Sequence, residues 1–303
     1  MPTSTLSPAA LARLRDARFD DPAAISAAWS ARTRRPIGGS DSRLFIVAAD
    51  HPARGANKVG DEPLAMADRA DLLERLATAL ARPGVDGVLA TPDILDDLAF
   101  LGCLENRLAV GSMNRGGLAG SGFEIDDRFT GHTAAGMARD GIDLAKTLLR
   151  ISLGDPATAS ALEANAHAIN ACAEHDIPVM LEPFLSEWVD GKVRNLLTPE
   201  AVITSIGIAQ GLGTTSAHTW LKIPVVDDME RVLAATTLPT LLLGGERSND
   251  PEATFRSWEA ALALPGVRGL VIGRSIVYPA DGDVAGAVDR AAALVHGSER
   301  ATA

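Results

Sequence analysis

Two lysines lie inside apolar, strand-like runs. "TWLKIPVV" carries Lys222 and "IDLAKTLLRIS" carries Lys146. An amine in a low-dielectric pocket near another cation loses basicity, and the neutral amine can attack a ketone or aldehyde to form a Schiff base. The iminium then withdraws electrons and stabilises a carbanion one carbon away, which is what C–C bond cleavage or formation requires. Proton transfer needs a positioned carboxylate. Asp50 closes the run "LFIVAAD" and Glu182 closes "IPVMLEPF". His51 follows Asp50, Arg115 follows Asn114 at the end of "RLAVGSMN", and Arg150 shares a strand face with Lys146. Gly244 and Gly245 end "LPTLLLGG", and Gly273 and Arg274 end "VRGLVIGRS". Such turns offer backbone N–H groups to a phosphate, and an arginine adds a fixed charge. Each feature also has an ordinary reading: a lysine paired with a carboxylate, a tight turn, a packing glycine, a solvated loop.

These residues need a scaffold that brings them together. From Leu44 onward the chain alternates short continuous apolar runs with amphipathic or Ala-rich segments, giving eight strand–helix repeats. Continuous apolar strands are expected where both faces of a parallel sheet are covered. Eight units in this length predict a (β/α)8 TIM barrel, with chemistry at the C-terminal strand ends. No GxGxxG follows the first strand, which removes the usual dinucleotide signal of a doubly wound sheet. Residues 1–40 read as an N-terminal helical extension and linker, with Ser7 capping a helix that starts at Pro8. Residues 41–303 read as the barrel. The loop 114–131 is long enough to cover the mouth. His132 reads as a helix start, His167, His175 and His296 as helix-surface residues, and His218 as lying at the wrong strand end for catalysis.

Composition narrows the function. A net charge of −11 disfavours a general polyanion binder, and 4% aromatic residues leave little for base stacking, so no nucleic-acid partner is expected. No apolar run nears the roughly 20 residues that span a bilayer. The two cysteines, Cys103 and Cys172, have no metal-ligand spacing and read as reduced core thiols. The expectation is a cytoplasmic protein without membrane contact. Imine chemistry needs no metal and no cofactor.

Four of these segments together resemble the class I (Schiff-base) aldolases of the deoxyribose-phosphate, tagatose-bisphosphate and archaeal fructose-bisphosphate type. They are "VAADHPARG", "GIDLAKTLLRI", "WLKIPVV" and "GLVIGRSI". The resemblance implies that Lys222 forms the Schiff base and that Lys146 lowers its pKa or binds a substrate hydroxyl. It implies Asp50 and Glu182 as acid/base groups and a phosphate on Gly245, Gly273 and Arg274. The implied substrate is a phosphorylated ketose or keto-sugar acid, releasing dihydroxyacetone phosphate and an aldehyde. The N-terminal extension is similar to that of aldolase-like proteins near inositol catabolism, which would point to 5-dehydro-2-deoxy-phosphogluconate. A homo-oligomer fits the same resemblance. One departure is the tyrosine near the site of many archaeal-type members: the only tyrosine here is Tyr278, after the eighth strand. A transaldolase-like transfer, a dehydration and a catalytically silent sugar-phosphate-binding barrel remain alternatives.

Overall fold

The computed structural model describes residues 6–39, 41–245 and 250–297. Its parallel strands are β1 (Leu44–Ala48), β2 (Gly87–Ala90), β3 (Leu108–Ser112), β4 (Leu144–Ile151), β5 (Val179–Val189), β7 (Thr219–Pro224), β8 (Thr240–Leu243) and β9 (Val267–Ile272). They pair in sequence order, and β1–β9 pairing together with β4–β5 pairing closes an eight-stranded (β/α)8 TIM barrel. The intervening strand β6 (Lys192–Asn195) is antiparallel to the end of β5. The outer layer comprises α3 (Arg69–Leu80), α4 (Pro92–Phe100), α5 (Ala134–Asp140), α6 (Ala157–Glu174), α7 (Pro199–Gln210), α8 (Met229–Leu233), α9 (Pro251–Leu262) and α11 (Val284–His296). The short helix α10 (Arg274–Val277) follows β9 directly.

Strand periodicity sorts the side chains into two cores. Phe45, Val47 and Ala49 point outward, into the layer between sheet and helices. Leu44, Ile46 and Ala48 point into the barrel, where Leu89, Leu108, Val110, Leu144, Met180, Leu241 and Val271 join them. This apolar plug fills the lower lumen. Continuing each strand two residues upward from Ala48, Val110, Leu144 and Met180 reaches Asp50, Ser112, Lys146 and Glu182. Continuing from Trp220, which packs on the same plug, reaches Lys222. The polar layer therefore stands directly on the apolar one.

The N-terminal segment forms α1 (Pro8–Asp20) and α2 (Ala23–Ala31), and Ser7 caps α1 as expected, accepting from Ala10 N. The Trp29 indole donates to Asp96 on α4 at 2.8 Å. The following residues, expected only as a connection, cover the N-terminal end of the barrel. Arg32 and Arg34 both reach buried Asp143, at 3.1 and 3.0 Å. Arg35 lies 2.6 Å from Asp86, and Ile37 packs against the lumen plug. His296, expected on a helix surface, is instead sealed in this layer. Its side chain is 1% exposed and lies 2.6 Å from Asp41 and 3.0 Å from Asp86. The helix pattern alone did not show that the last turn of α11 abuts the barrel floor.

The hairpin β5–β6 was not foreseen either. Its signal was the Asp190-Gly191 pair between Trp188-Val189 and Lys192-Val193, since both turn residues adopt positive φ, at 51° and 70°. Such a pair is the preferred two-residue hairpin connection. Glu246 and Arg247, noted after the seventh barrel strand, lie outside the described residues.

Candidate active site

The layer above the lumen plug holds a chain of four charges. Lys146 Nζ lies 2.8 Å from Asp50 Oδ2 and 2.8 Å from Glu182 Oε2, and Lys222 Nζ lies 2.9 Å from Glu182 Oε1. Lys146, Lys222 and Glu182 are 1%, 5% and 6% exposed, so the array is screened little by water. Ser112 Oγ stands 3.5 Å from Asp50 Oδ2.

The two lysines differ in their surroundings, and their basicity differs accordingly. Burial disfavours the charge on Lys146, but the carboxylates of Asp50 and Glu182 outweigh it and raise the pKa. Burial also disfavours the charge on Lys222. Glu182 opposes that, yet the positive charge of Lys146 adds to it, and the pKa falls. Burial alone would raise the carboxyl groups. The lysines override it, bringing Glu182 down to about 2 and Asp50 well below the usual carboxylate range. At neutral pH the site holds two carboxylates, one firmly protonated amine and one amine displaced toward its neutral form.

The other expected residues surround this array. His51 follows Asp50, with its Nδ1 3.9 Å from Asp50 Oδ1. Burial, against the Asp50 charge, lowers its pKa to about 3, so the imidazole is neutral. Gly273 ends β9 where the chain passes close to β1: a side chain there would place Cβ 2.6 Å from Ala48 O and 2.7 Å from His51 Cε1. Arg274 is buried, with a guanidinium nitrogen 3.5 Å from Lys58 O. Gly244 and Gly245 end β8 beside β9, and Gly245 adopts φ 68°, which favours glycine. Arg150 Nη1 is bound to Gly116 O and lies 2.7 Å from Glu124 Oε1, fastening the loop after β3 to β4. Exposed Arg115 donates to Ala53 O at 2.7 Å and to Thr130 at 3.0 Å. Tyr278 packs in the outer core beneath Arg75 of α3, with 4.5 Å between guanidinium and ring centre, outside the lumen that holds the lysines.

Three further polar residues shape the mouth. Asn114 exchanges hydrogen bonds with the backbone of Leu148, at 2.7 and 2.8 Å, clamping the end of β3 to β4. Asp127 accepts from Gly116 N at 2.8 Å, and burial raises its pKa despite the pull of these amides and of Lys146. Glu124 is the buried partner of Arg150. Ser112 was legible from the strand period counted up from Val110. Asp127 and Glu124 lie in an irregular loop with no period to count.

The sequence profile described as Cgl0159-like matches residues 42–292. The chain belongs to the Cgl0159-like family. The solved structure of Cgl0159 from Corynebacterium glutamicum shares 59% identity over 96% of this chain and 98% of its own, with a TM-score of 0.94. An archaeal fructose 1,6-bisphosphate aldolase superposes with a TM-score of 0.63 at 20% identity, covering 90% of this chain and 99% of its own. Fructose-bisphosphate aldolase from Slackia heliotrinireducens DSM 20476 gives a TM-score of 0.56 at 15% identity, over 97% and 95% of the two chains. These two likenesses establish the shared barrel fold. No curated protein matches the chain. No helix among the described residues is long and apolar enough to cross a membrane.

Proposed function

We propose that this protein is a class I aldolase that makes or breaks a C–C bond in a phosphorylated ketose or keto-sugar acid through a Schiff base on Lys222. The observation that carries the reading is the unequal treatment of the two lysines. Lys146 is held as a cation by two carboxylates, while Lys222 shares one carboxylate and faces that cation. An imine-forming lysine must be neutral when it attacks, and a neighbouring fixed cation is one way to keep it so.

In the cleavage direction the Lys222 amine adds to the C2 carbonyl and gives a carbinolamine. Glu182, in contact with the amine, moves protons between the nitrogen and the oxygen, and water leaves. Asp50, ionised beside Lys146, accepts the C4 hydroxyl proton as the C3–C4 bond breaks. The bonding pair passes into the iminium and forms an enamine, and the aldehyde departs. Protonation at C3 and hydrolysis return dihydroxyacetone phosphate and the free amine. The phosphate would rest on the turns at Gly245 and Gly273–Arg274, as the fold commonly binds this group at its last two strands.

The solved relatives support this reading. One aldolase of 20% identity, with a TM-score of 0.62, is described as Schiff-base-forming. Borohydride trapping with phosphorylated ketoses and keto-sugar acids, 5-dehydro-2-deoxy-phosphogluconate among them, tests it. Mass mapping should place the reduced adduct on Lys222. An adduct that persists in Lys222→Met, or none with any carbonyl compound, would sink the assignment. Product analysis then separates cleavage from group transfer and dehydration.

A further inference from the structure

The proposed cleavage leaves one proton without a carrier. The enamine must take a proton at C3 before dihydroxyacetone phosphate can be released, and the groups around Lys222 are otherwise engaged. Glu182 gives one oxygen to each lysine, at 2.8 and 2.9 Å. Asp50 Oδ2 is held by Lys146 at 2.8 Å, with Ser112 Oγ 3.5 Å away. Tyr278 and Cys172 pack in the outer core. His132 lies on the outer side of β3, against Gly111, with its Nδ1 3.2 Å from Ser112 O.

His51 is placed differently. Its backbone is fixed, because its carbonyl accepts from both Arg54 N and Ala56 N at 3.2 Å in the turn Pro52–Arg54. Its ring is wedged between β9 and Asp50. A Cβ on Gly273 would stand 2.7 Å from His51 Cε1, and Nδ1 lies 3.9 Å from Asp50 Oδ1, the oxygen that Lys146 does not hold. Nδ1 is buried and makes no hydrogen bond. The side chain is 16% exposed, so with Cε1 against Gly273 the open edge is that of Nε2 and Cδ2.

A buried nitrogen without a partner costs free energy in the resting protein. Asp50, ionised beside Lys146, has no proton to offer it. Asp50 acquires one on accepting the C4 hydroxyl proton, and Oδ1–H is then the donor that Nδ1 lacks. The contact is made only as the reaction proceeds, which is where an interaction lowers a barrier. A bare Nδ1 leaves the ring's single proton on Nε2, at the open edge.

We propose that His51 is the catalytic residue that protonates C3, relaying the proton that Asp50 receives; the step rests on the imine reading. The C4 hydroxyl proton passes to Asp50 Oδ1, its O–H pair forms the aldehyde carbonyl, and the C3–C4 pair enters the iminium to give the enamine. Once the aldehyde has left, the enamine pair takes the Nε2 proton at C3. The N–H pair stays on the ring, and Nδ1 takes the proton from Oδ1. Asp50 is again a carboxylate and the iminium is restored for hydrolysis. The ring regains its first tautomer by exchange with water. The proton lost at C4 is thus balanced at C3 without an outside acid, and the ring stays neutral throughout.

One half-reaction isolates this step. The Schiff base of dihydroxyacetone phosphate loses and regains a C3 proton by the same route. In D2O the native protein should therefore exchange a C3 hydrogen for deuterium, followed by proton NMR, and borohydride should trap the adduct. His51→Asn and His51→Gln should trap near the native level yet exchange about 10²- to 10⁴-fold more slowly, the range for a positioned acid/base group. Native-rate exchange in a variant that traps overturns the relay. Loss of trapping in both variants also overturns it, by assigning the ring to imine formation. A native protein that traps without exchanging removes the relay and leaves the imine reading standing. One that neither traps nor exchanges removes both.

Discussion

Glu182 Oε1 lies 2.9 Å from Lys222 Nζ, while the other oxygen of the same carboxylate is held 2.8 Å from Lys146 Nζ. One rigid carboxylate therefore touches the proposed nucleophile and the cation that lowers its pKa. Glu182→Gln keeps the shape and removes the charge and the proton-accepting oxygen. Turnover should fall by about 10²- to 10⁴-fold, the usual contribution of a positioned acid/base group. Steady-state kinetics on a substrate identified by trapping measures this. Near-native turnover would remove Glu182 from the mechanism.

Lys146→Met should shift the pH dependence of trapping rather than abolish the adduct. Without Lys146, Lys222 loses a positive neighbour and keeps Glu182 to itself. Both changes favour the protonated amine, so its pKa rises and trapping needs higher pH. Adduct yield plotted against pH for the native protein and the variant reads the direction. A shift to lower pH contradicts the electrostatic account.

His296 gives a stability prediction far from the site. Burial lowers its pKa, but hydrogen bonds to Asp86 and Asp41 outweigh that and raise it above the ordinary 6.5. A raised folded-state value means that the protonated form stabilises the fold. That stabilisation is fully present below the unfolded value near 6.5 and is lost as pH rises through the folded one. Tm should decline across that window, by about 2 °C per kcal/mol for a chain of this size. His296→Asn should flatten the decline, as differential scanning calorimetry at several pH values would show.

Gly273→Ala tests the close approach of β9 to β1. The new methyl would meet Ala48 O at 2.6 Å and His51 Cε1 at 2.7 Å, so the strand end beside Asp50 must move. Overpacking of this kind costs about 1–3 kcal/mol. Urea unfolding should show that loss, and the displaced His51 should weaken binding of phosphorylated ligands. Unchanged stability together with unchanged binding would refute the contact.

Arg150→Met should free the loop after β3. It strands Glu124 in a buried position, and breaking one partner of a buried pair costs about 3–5 kcal/mol. Limited proteolysis should then cut within residues 115–131 faster than in the native protein. Equal cutting rates would show that the pair does not hold the loop.

Much of this protein is determined by local pattern. Alternating strand and helix runs specify the barrel, because a strand apolar on both faces must be covered on both. Ser7 and Pro8 specify where α1 begins. The period of two along β4, β5 and β7 puts Lys146, Glu182 and Lys222 at the same kind of position, and their chemistry suggests an imine. Other features depended on closure of the sheet. Only the stagger between strands decides that Glu182 reaches both amines and that Asp50 reaches Lys146 alone, and this geometry makes one lysine more basic and the other less. Only closure brings His296 onto Asp86 and Asp41, residues far apart in the chain. Arg32, Arg34 and Arg35, which read as linker charges, found partners in Asp143 and Asp86 at the barrel floor. The cause is the same in each case. The charge state of a buried group depends on what surrounds it within a few ångströms, and in a closed barrel those neighbours come from segments tens to hundreds of residues away in the chain.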